Sequence, residues 1–190
     1  VFSHLAASDE PQHDDFTKEQ ISRFDDACKK ISDALGYMPH RHILNSAGIE
    51  RFAASQYEMV RLGIGLYGIS AIGDTNLRNI STLKSTLIQI KTLEKNQTIG
   101  YGRKAKAEKP LTIGIVPIGY ADGLNRRLGN GNASVYIKGK PAPTIGNICM
   151  DMCMVNITGL EAGVNDEAII FGEKPRLMDI ANTLETIPYE

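Results

Sequence analysis

The sequence predicts an α/β region followed by an all-β region: the C-terminal part of a (β/α)8 barrel over residues 1–76, then a mainly antiparallel β domain over residues 77–190. Near the start, short apolar runs alternate with amphipathic stretches of helical period, which is the order of βα units in a barrel. From Leu83 onward, apolar runs of strand length are separated by glycine and proline, which is typical of a β-sandwich or β-barrel.

The first helix is predicted from Phe16 to Leu35, where apolar residues recur at helical spacing. Thr17 and Gln20 fit a capping box at its start, and Gly36 fits a C-terminal stop. The chain opens with a strand-like run before this helix, so a βα unit is expected here.

Three shorter elements follow. The sequence predicts a strand at His42 to Leu44, a second helix at about Ala54 to Val60, and a strand at Ile64 to Tyr67 flanked by glycines. Strand, helix, strand, helix, strand is the rhythm of a βα-barrel.

The pattern changes between residues 72 and 82, where we place the domain boundary. Beyond it, apolar runs bounded by turn residues predict β-strands, and one late helix is predicted from Leu177 to Leu184. The predicted strands are Leu87 to Leu93, Leu111 to Ile118, Ser134 to Lys138, Met152 to Ile157 and Glu167 to Phe171.

Composition excludes several functions. The net charge is −1, tryptophan is absent and aromatic residues make up only 6%, so neither nucleic acid nor an anionic membrane is an expected partner. Cys28, Cys149 and Cys153 form neither a disulfide framework nor a tetrahedral metal set. We therefore predict no metal site and a cytoplasmic, reducing compartment. No apolar run is long enough to span a membrane.

Tyr120 is the first candidate for chemistry. It lies in Gly119-Tyr120-Ala121-Asp122-Gly123, directly after a predicted buried strand. Glycines on both sides allow a sharp turn that projects the phenol into a cleft. A phenol that acts as a base near neutrality needs a pKa below its usual ~10, and Arg126 and Arg127 are nearby positive charges in the chain. The alternative is a strand-end tyrosine whose hydroxyl is bonded locally.

Ser46, Gly63 and Ile64 form a second candidate site. They lie beside predicted barrel strands, where barrels commonly bind phosphate. A serine hydroxyl and two backbone N–H groups suit an anion. The alternative is a helix cap at Ser46 and a tight turn at Gly63.

Considered together, these motifs resemble the alanine racemases, which are pyridoxal-phosphate enzymes. The resemblance extends over nearly the whole chain in the family's order. The segments that carry it are Ser3–Ala6 with Asp9-Glu10, Asn45–Ala47, Met59–Gly68, Gly119–Gly123 and Cys149–Asp151.

The resemblance implies a cofactor site. Ser46, Gly63 and Ile64 would hold the phosphate of pyridoxal 5'-phosphate, and Arg61, supported by His4, would face its pyridine nitrogen. Because a guanidinium does not release its proton, it can donate a hydrogen bond to this nitrogen but cannot protonate it. The ring is then a weaker electron sink, which limits side reactions.

The resemblance also implies the reaction. L- and D-alanine would interconvert by two-base proton transfer on the pyridoxal-phosphate aldimine, in the D-alanine biosynthesis that supplies peptidoglycan precursors. Tyr120 would be one base, acting in the site of the neighbouring subunit of a homodimer, and Met150 would contact substrate through its backbone. The family's Schiff-base lysine lies upstream of Val1, so this fragment alone is expected to be inactive. Asn147 departs from the family's usual arginine.

Two alternatives stay open at this point. A barrel-type pyridoxal-phosphate amino-acid decarboxylase has a related layout, but the Gly119–Gly123 motif argues against it. The second alternative is not an enzyme: it is a non-catalytic β module that mediates self-association. Absorbance of pyridoxal phosphate on reconstitution would separate the two classes.

Overall fold

The computed structural model describes residues 1–73 and 77–190. The chain divides into two compact units, Val1–Ile80 and Ser81–Glu190. The domain boundary after residue 76 stays a prediction.

Helix α1 of the first unit spans Asp14–Leu35, with His13 as N-cap and no side-chain cap. The predicted capping box is therefore wrong. Thr17 is buried and donates to the Ala7 carbonyl at 3.5 Å, and Gln20 accepts the Ala6 N–H at 3.0 Å. These two side chains hold the preceding loop instead of the helix end. The predicted stop at Gly36 is confirmed, with a left-handed φ of 76°.

The predicted strand at His42 to Leu44 is reduced to a single bridge. Phe2 pairs with His42 in parallel, since Ser3 donates to the His42 carbonyl at 3.2 Å and His42 donates to the Val1 carbonyl at 3.1 Å. Helix α1 connects these two segments, so the βαβ order of a barrel is present in minimal form.

Two further predictions in this unit are wrong. Residues 54–60 do not form a helix; helix α2 comes earlier, at Ser46–Arg51, and a 3-10 turn follows at Ala53–Ser55. The predicted strand at Ile64 to Tyr67 is also a 3-10 turn, ended by Gly68 at φ 76°. A four-residue apolar run has no decisive period, and none of the strands in residues 1–73 and 77–190 pairs with it.

The second unit is antiparallel throughout its described pairings. One sheet has the order β1-β9-β6-β7, a second β2-β5-β8, and a third β3-β4. Their bounds are β1 Leu83–Thr86, β2 Gln89–Leu93, β3 Thr98–Ile99, β4 Ala105–Lys106, β5 Leu111–Val116, β6 Ser134–Ile137, β7 Lys140–Pro143, β8 Cys153–Asn156 and β9 Glu167–Phe171. Helix α3 spans Leu177–Leu184.

Strand β9 and helix α3 have the predicted bounds, and the other predicted strands are shorter than expected. Leu87, the predicted start of one strand, lies between β1 and β2. Strand β7 is not among the predicted strands. Its two prolines are tolerated because it lies at a sheet edge, where their missing N–H groups are not needed.

Strand β5 positions the segment that bears Tyr120. It lies between β2 and β8, and its buried side chains join the apolar clusters of this unit. An added Cβ at Gly114, near its centre, would lie 2.6 Å from a Leu87 methyl, so a larger residue there would displace the buried Leu87 side chain. Among the described residues, no helix is both long and apolar enough to cross a membrane.

Candidate active site

Arg61 joins three separate segments of the first unit. Its backbone N–H donates to the Leu44 carbonyl at 3.0 Å. Its guanidinium donates to the Ser3 carbonyl at 3.2 Å, to the Ile43 carbonyl at 3.3 Å and to His4 Nδ1 at 2.8 Å. The structure therefore brings the predicted pair Arg61 and His4 together, and it fixes the guanidinium with several acceptors.

Ser46 is buried, with 7% of its surface exposed. Its Oγ accepts the Gly63 N–H at 2.9 Å and the Gly65 N–H at 3.2 Å. Because a hydroxyl oxygen has two lone pairs, both are used, while its own O–H is left to donate. No acceptor for that O–H is found within residues 1–73 and 77–190.

Asn45 is part of the Asn45–Ala47 motif, but the sequence assigns it no role; in the structure it connects the start of helix α2 to Ser8. Its Oδ1 accepts the Gly48 N–H at 2.9 Å and so caps α2. The same oxygen accepts the hydroxyl of buried Ser8 at 2.8 Å. The alternative prediction that Ser46 caps the helix is thus wrong. An asparagine before a helical stretch is the signal that could have identified the cap.

Gly63 and Ile64 lie next to Ser46 through the Gly63 hydrogen bond. Ile64 is the first residue of the 3-10 turn that ends at Tyr67. The three predicted phosphate residues are therefore adjacent. The Gly63 N–H, however, is bonded to Ser46 and is not free.

Tyr120 opens a 3-10 turn at Tyr120–Asp122, and not a strand end. The Tyr120 N–H donates to the Cys149 carbonyl at 2.9 Å, and the Ala121 N–H donates to the Met150 carbonyl at 3.0 Å. These bonds attach the turn to the loop that contains Met150. Tyr120 is exposed, with 43% of the residue's surface accessible, although its backbone is held by these hydrogen bonds.

Gly119 permits this attachment. A Cβ at Gly119 would lie 2.2 Å from the Met150 carbonyl oxygen and 2.4 Å from that of Cys149. Its N–H donates to the Asp122 carboxylate at 2.9 Å, which closes the turn. The glycine before Tyr120 is required by close backbone approach, and not by a left-handed φ.

The two arginines after Tyr120 point in different directions. Arg127 donates to the Leu184 carbonyl at 2.6 Å and to Glu185 at 2.9 Å, so it anchors the end of α3. The guanidinium of Arg126 instead lies over the Tyr120 ring, 5.8 Å from its centroid. The sequence placed both near Tyr120, and only the structure separates them.

Met150 borders a cavity of about 400 Å³ on the second unit. Met150 is an exposed residue. Asn147, which precedes this loop, donates to the Tyr101 carbonyl at 3.2 Å. The other lining residues are Gly100, Tyr101, Cys149, Asp151, Met152 and Met154.

The predicted site residues are divided between the two units. His4, Ser46, Arg61, Gly63 and Ile64 belong to the first, and Tyr120 and Met150 to the second. Within the part of the chain that the structure describes, no group of three or more His, Cys, Asp or Glu side chains could hold a metal ion.

Family comparison covers most of the chain. Residues 1–71 match the family described as "Alanine racemase, N-terminal domain", and residues 80–190 match "Alanine racemase, C-terminal domain".

Curated relatives agree. The chain is 41% identical over 199 residues to alanine racemase 2 of Caldanaerobacter subterraneus subsp. tengcongensis, and 38% identical over 200 residues to the alanine racemase of Clostridium tetani. Each comparison covers 100% of this chain and 51% of the relative. The chain thus spans about half the length of the curated relatives it matches.

Solved structures are also similar. The alanine racemase of Clostridium difficile in complex with cycloserine has a TM-score of 0.90 at 37% identity, covering 99% of this chain and 51% of that chain. The alanine racemase of Bartonella henselae with covalently bound pyridoxal phosphate has a TM-score of 0.84 at 27% identity, covering 100% and 52%.

Proposed function

This chain belongs to the alanine racemase family, and we propose from this that it supplies part of the active site of an isomerase that interconverts L- and D-alanine with pyridoxal 5'-phosphate. The observation that carries the proposal is the set of hydrogen bonds made by the Ser46 hydroxyl. Its oxygen accepts two backbone N–H groups, so its O–H remains a donor that would suit an acceptor such as a phosphate oxygen.

The donor set of the first unit fits this cofactor. Ser46 would donate to the phosphate directly, and the Gly63 N–H would orient Ser46 or exchange onto the phosphate together with the Ile64 N–H. Arg61, fixed by His4 and by two backbone carbonyls, would donate to the pyridine nitrogen. Since a guanidinium keeps its proton, Arg61 leaves that nitrogen unprotonated.

When bound, pyridoxal phosphate withdraws electrons from the amino acid and makes its α-proton removable. Tyr120 would exchange that proton on one face of Cα, and a base outside this chain's predicted site would act on the other face. Met150 would contact substrate through its backbone, within the loop whose carbonyls hold the Tyr120 turn.

We further propose a homodimer in which Tyr120 of one copy serves the cofactor site of the other. The division of the predicted site residues between two units supports this arrangement. We also propose that the product D-alanine supplies peptidoglycan precursors and that the enzyme works in the cytoplasm. All three cysteines are free thiols, which suits a reducing compartment.

The test uses the complete natural polypeptide that contains this chain, called here the complete polypeptide. With pyridoxal phosphate and L-alanine, it should form D-alanine. Tyr120→Phe should lower this rate by about 10²- to 10⁴-fold, the usual contribution of a general base. Tyr37→Phe, an exposed tyrosine of the first unit, is the matched control and should retain full activity. Equal activity in the Tyr120 variant would refute the assignment.

Mixing two variants, each first verified to be inactive on its own, tests the dimer. Tyr120→Phe leaves the first unit intact, and Arg61→Ala leaves Tyr120 intact. In a random mixture half of the dimers are mixed, and each has one site with both parts intact, so roughly a quarter of wild-type activity should return. No recovery despite verified subunit exchange would place both parts of each site on one chain.

A further inference from the structure

Hydrogen bonds fix the backbone of Tyr120, while few contacts restrain its phenol ring. The Tyr120 N–H donates to the Cys149 carbonyl at 2.9 Å, and the backbone of the neighbouring Gly119 passes so close to Met150 that an added Cβ would lie 2.2 Å from the Met150 carbonyl oxygen. Within residues 1–73 and 77–190, no hydrogen bond to the Tyr120 hydroxyl is found. Among the described residues of one copy, only a contact to the face or edge of the ring can therefore orient it.

Arg126 makes such a contact. Its guanidinium carbon lies 5.8 Å from the centroid of the Tyr120 ring, within the range of cation–π attraction. The Arg126 backbone is part of the 3-10 turn Arg126–Leu128, which is closed by the Leu128 N–H donating to Asn125 and by the Gly129 N–H donating to Arg126. A fixed turn thus places the cation over the ring.

The charge of Arg126 is also available. Among the described residues it has no ion pair, whereas its neighbour Arg127 is engaged by Leu184 and Glu185. No described carboxylate competes for Arg126 as an ion-pair partner, so the ring of Tyr120 is its identified contact.

We propose that Arg126 is a positioning residue for Tyr120, which orients the phenol ring and stabilises the negative charge that forms on it during proton transfer. This inference rests on the proposed function. A cation over a neutral phenol ring gains little at an exposed site, but its attraction grows when the ring carries a full negative charge. An interaction that is stronger in the transition state than in the ground state raises the rate of the chemical step.

The kinetic test compares Arg126→Met with Arg127→Met in the complete polypeptide. Both remove one positive charge from the same turn, so their net charges match. Arg126→Met should lower kcat roughly two- to five-fold with little change in KM, and Arg126→Lys should be intermediate. Arg127→Met should lower the thermal midpoint without this effect on kcat.

Isotope effects separate positioning from damage to the fold. If the Tyr120 step becomes slower, the primary deuterium isotope effect should rise for the alanine enantiomer whose α-proton Tyr120 removes and fall for the other. A loss of folded enzyme would leave the ratio of the two effects unchanged. An unchanged ratio in Arg126→Met, with Tyr120→Phe inactive, would overturn the role of Arg126 and leave the proposed function standing. An active Tyr120→Phe would overturn both.

A second measurement uses this chain alone. In the wild-type chain, the ring current of Tyr120 should move the NMR signals of the Arg126 Nε–H and δ-methylene protons, and Tyr120→Leu should remove that displacement. The Arg127 signals should not respond. If the Arg126 signals are the same in both proteins, the contact does not form in solution and the proposal fails.

Discussion

The guanidinium of Arg61 donates a hydrogen bond to His4, with 2.8 Å between Nη2 and Nδ1. Because a guanidinium has donors but no acceptor, Nδ1 of His4 carries a lone pair and the ring proton is on Nε2. Protonated His4 would place two donors against each other. The orientation of Arg61 therefore depends on a neutral imidazole of one tautomer.

Replacing His4 should loosen Arg61. His4→Ala removes the acceptor and should lower racemisation by the complete polypeptide, while His4→Asn, whose amide oxygen can accept at a similar place, should restore part of it. In this chain, ¹⁵N NMR of His4 should show an unprotonated Nδ1. His40→Ala, at an exposed histidine, is the control. Equal activity in His4→Ala and wild type would show that Arg61 does not need this contact.

Ser46→Ala should destabilise the first unit. The change leaves the N–H groups of Gly63 and Gly65 without their acceptor, at a cost of about 1–3 kcal/mol in the free energy of unfolding. Urea unfolding of this chain measures it. The control is Ser22→Ala, an exposed serine in α1, which should change stability by less than about 0.5 kcal/mol. In the complete polypeptide, Ser46→Ala should also weaken binding of pyridoxal phosphate, followed by its absorbance.

Gly119→Ala should displace the Tyr120 turn. Its Cβ would lie 2.2 Å from the Met150 carbonyl oxygen, so backbone must move. The expected loss is about 1–3 kcal/mol, as for other overpacked sites, together with reduced racemisation. At Gly163 an added Cβ meets nothing nearer than 3.8 Å, so Gly163→Ala is the matched control. Wild-type stability and activity in Gly119→Ala would mean that the turn can adjust freely.

The three cysteines should differ in reactivity. Cys28 and Cys153 are buried, and burial raises the pKa of the Cys28 thiol and raises that of Cys153 to about 12. Cys149 is partly exposed and lines the same cavity as Met150. Because alkylation requires access and thiolate, a maleimide should label Cys149 first in the native chain. Mass spectrometry of digested protein locates the label, and Cys149→Ser should abolish the fast phase. Rapid labelling of Cys153 would contradict its complete burial.

Glu58 should make stability depend on acid pH. Hydrogen bonds from Arg41 lower its pKa from 4.5 to about 2, with 2.7 Å between Arg41 Nη2 and Glu58 Oε1. A lowered native pKa stabilises the fold fully above about pH 4.5, and that stabilisation is lost as the pH falls through about 2.

Urea unfolding at several pH values tests this dependence. The stability difference between wild type and Glu58→Gln should be present near pH 6 and should shrink between pH 4.5 and 2. Glu108→Gln, an exposed glutamate outside the ion pairs of the described residues, should show no such trend. A difference independent of pH would mean that the carboxylate charge is not what stabilises this contact.

The sequence by itself determined the family and the elements with a clear period. Helix α1 repeats apolar residues over many turns, so its existence and its end at Gly36 could be predicted, and β9 and α3 have the predicted bounds. The motifs around Ser46, Arg61 and Tyr120 identified the family, because each consists of particular residues and the motifs follow one another in the family's order. The spacing of residues along the chain and their chemical types can be taken directly from the sequence.

Only the tertiary structure decided which groups touch. The Ile64–Tyr67 run satisfies a strand or a turn equally well locally, and it forms a turn in which Gly63 and Gly65 bond to the distant Ser46. Asn45, and not Ser46, caps α2 by accepting the Gly48 N–H, and the same carboxamide oxygen accepts the hydroxyl of buried Ser8. Arg126 and Arg127 are adjacent and chemically identical, yet one lies over Tyr120 and the other holds the end of α3. Such choices depend on residues far away in the chain, so no local pattern could fix them.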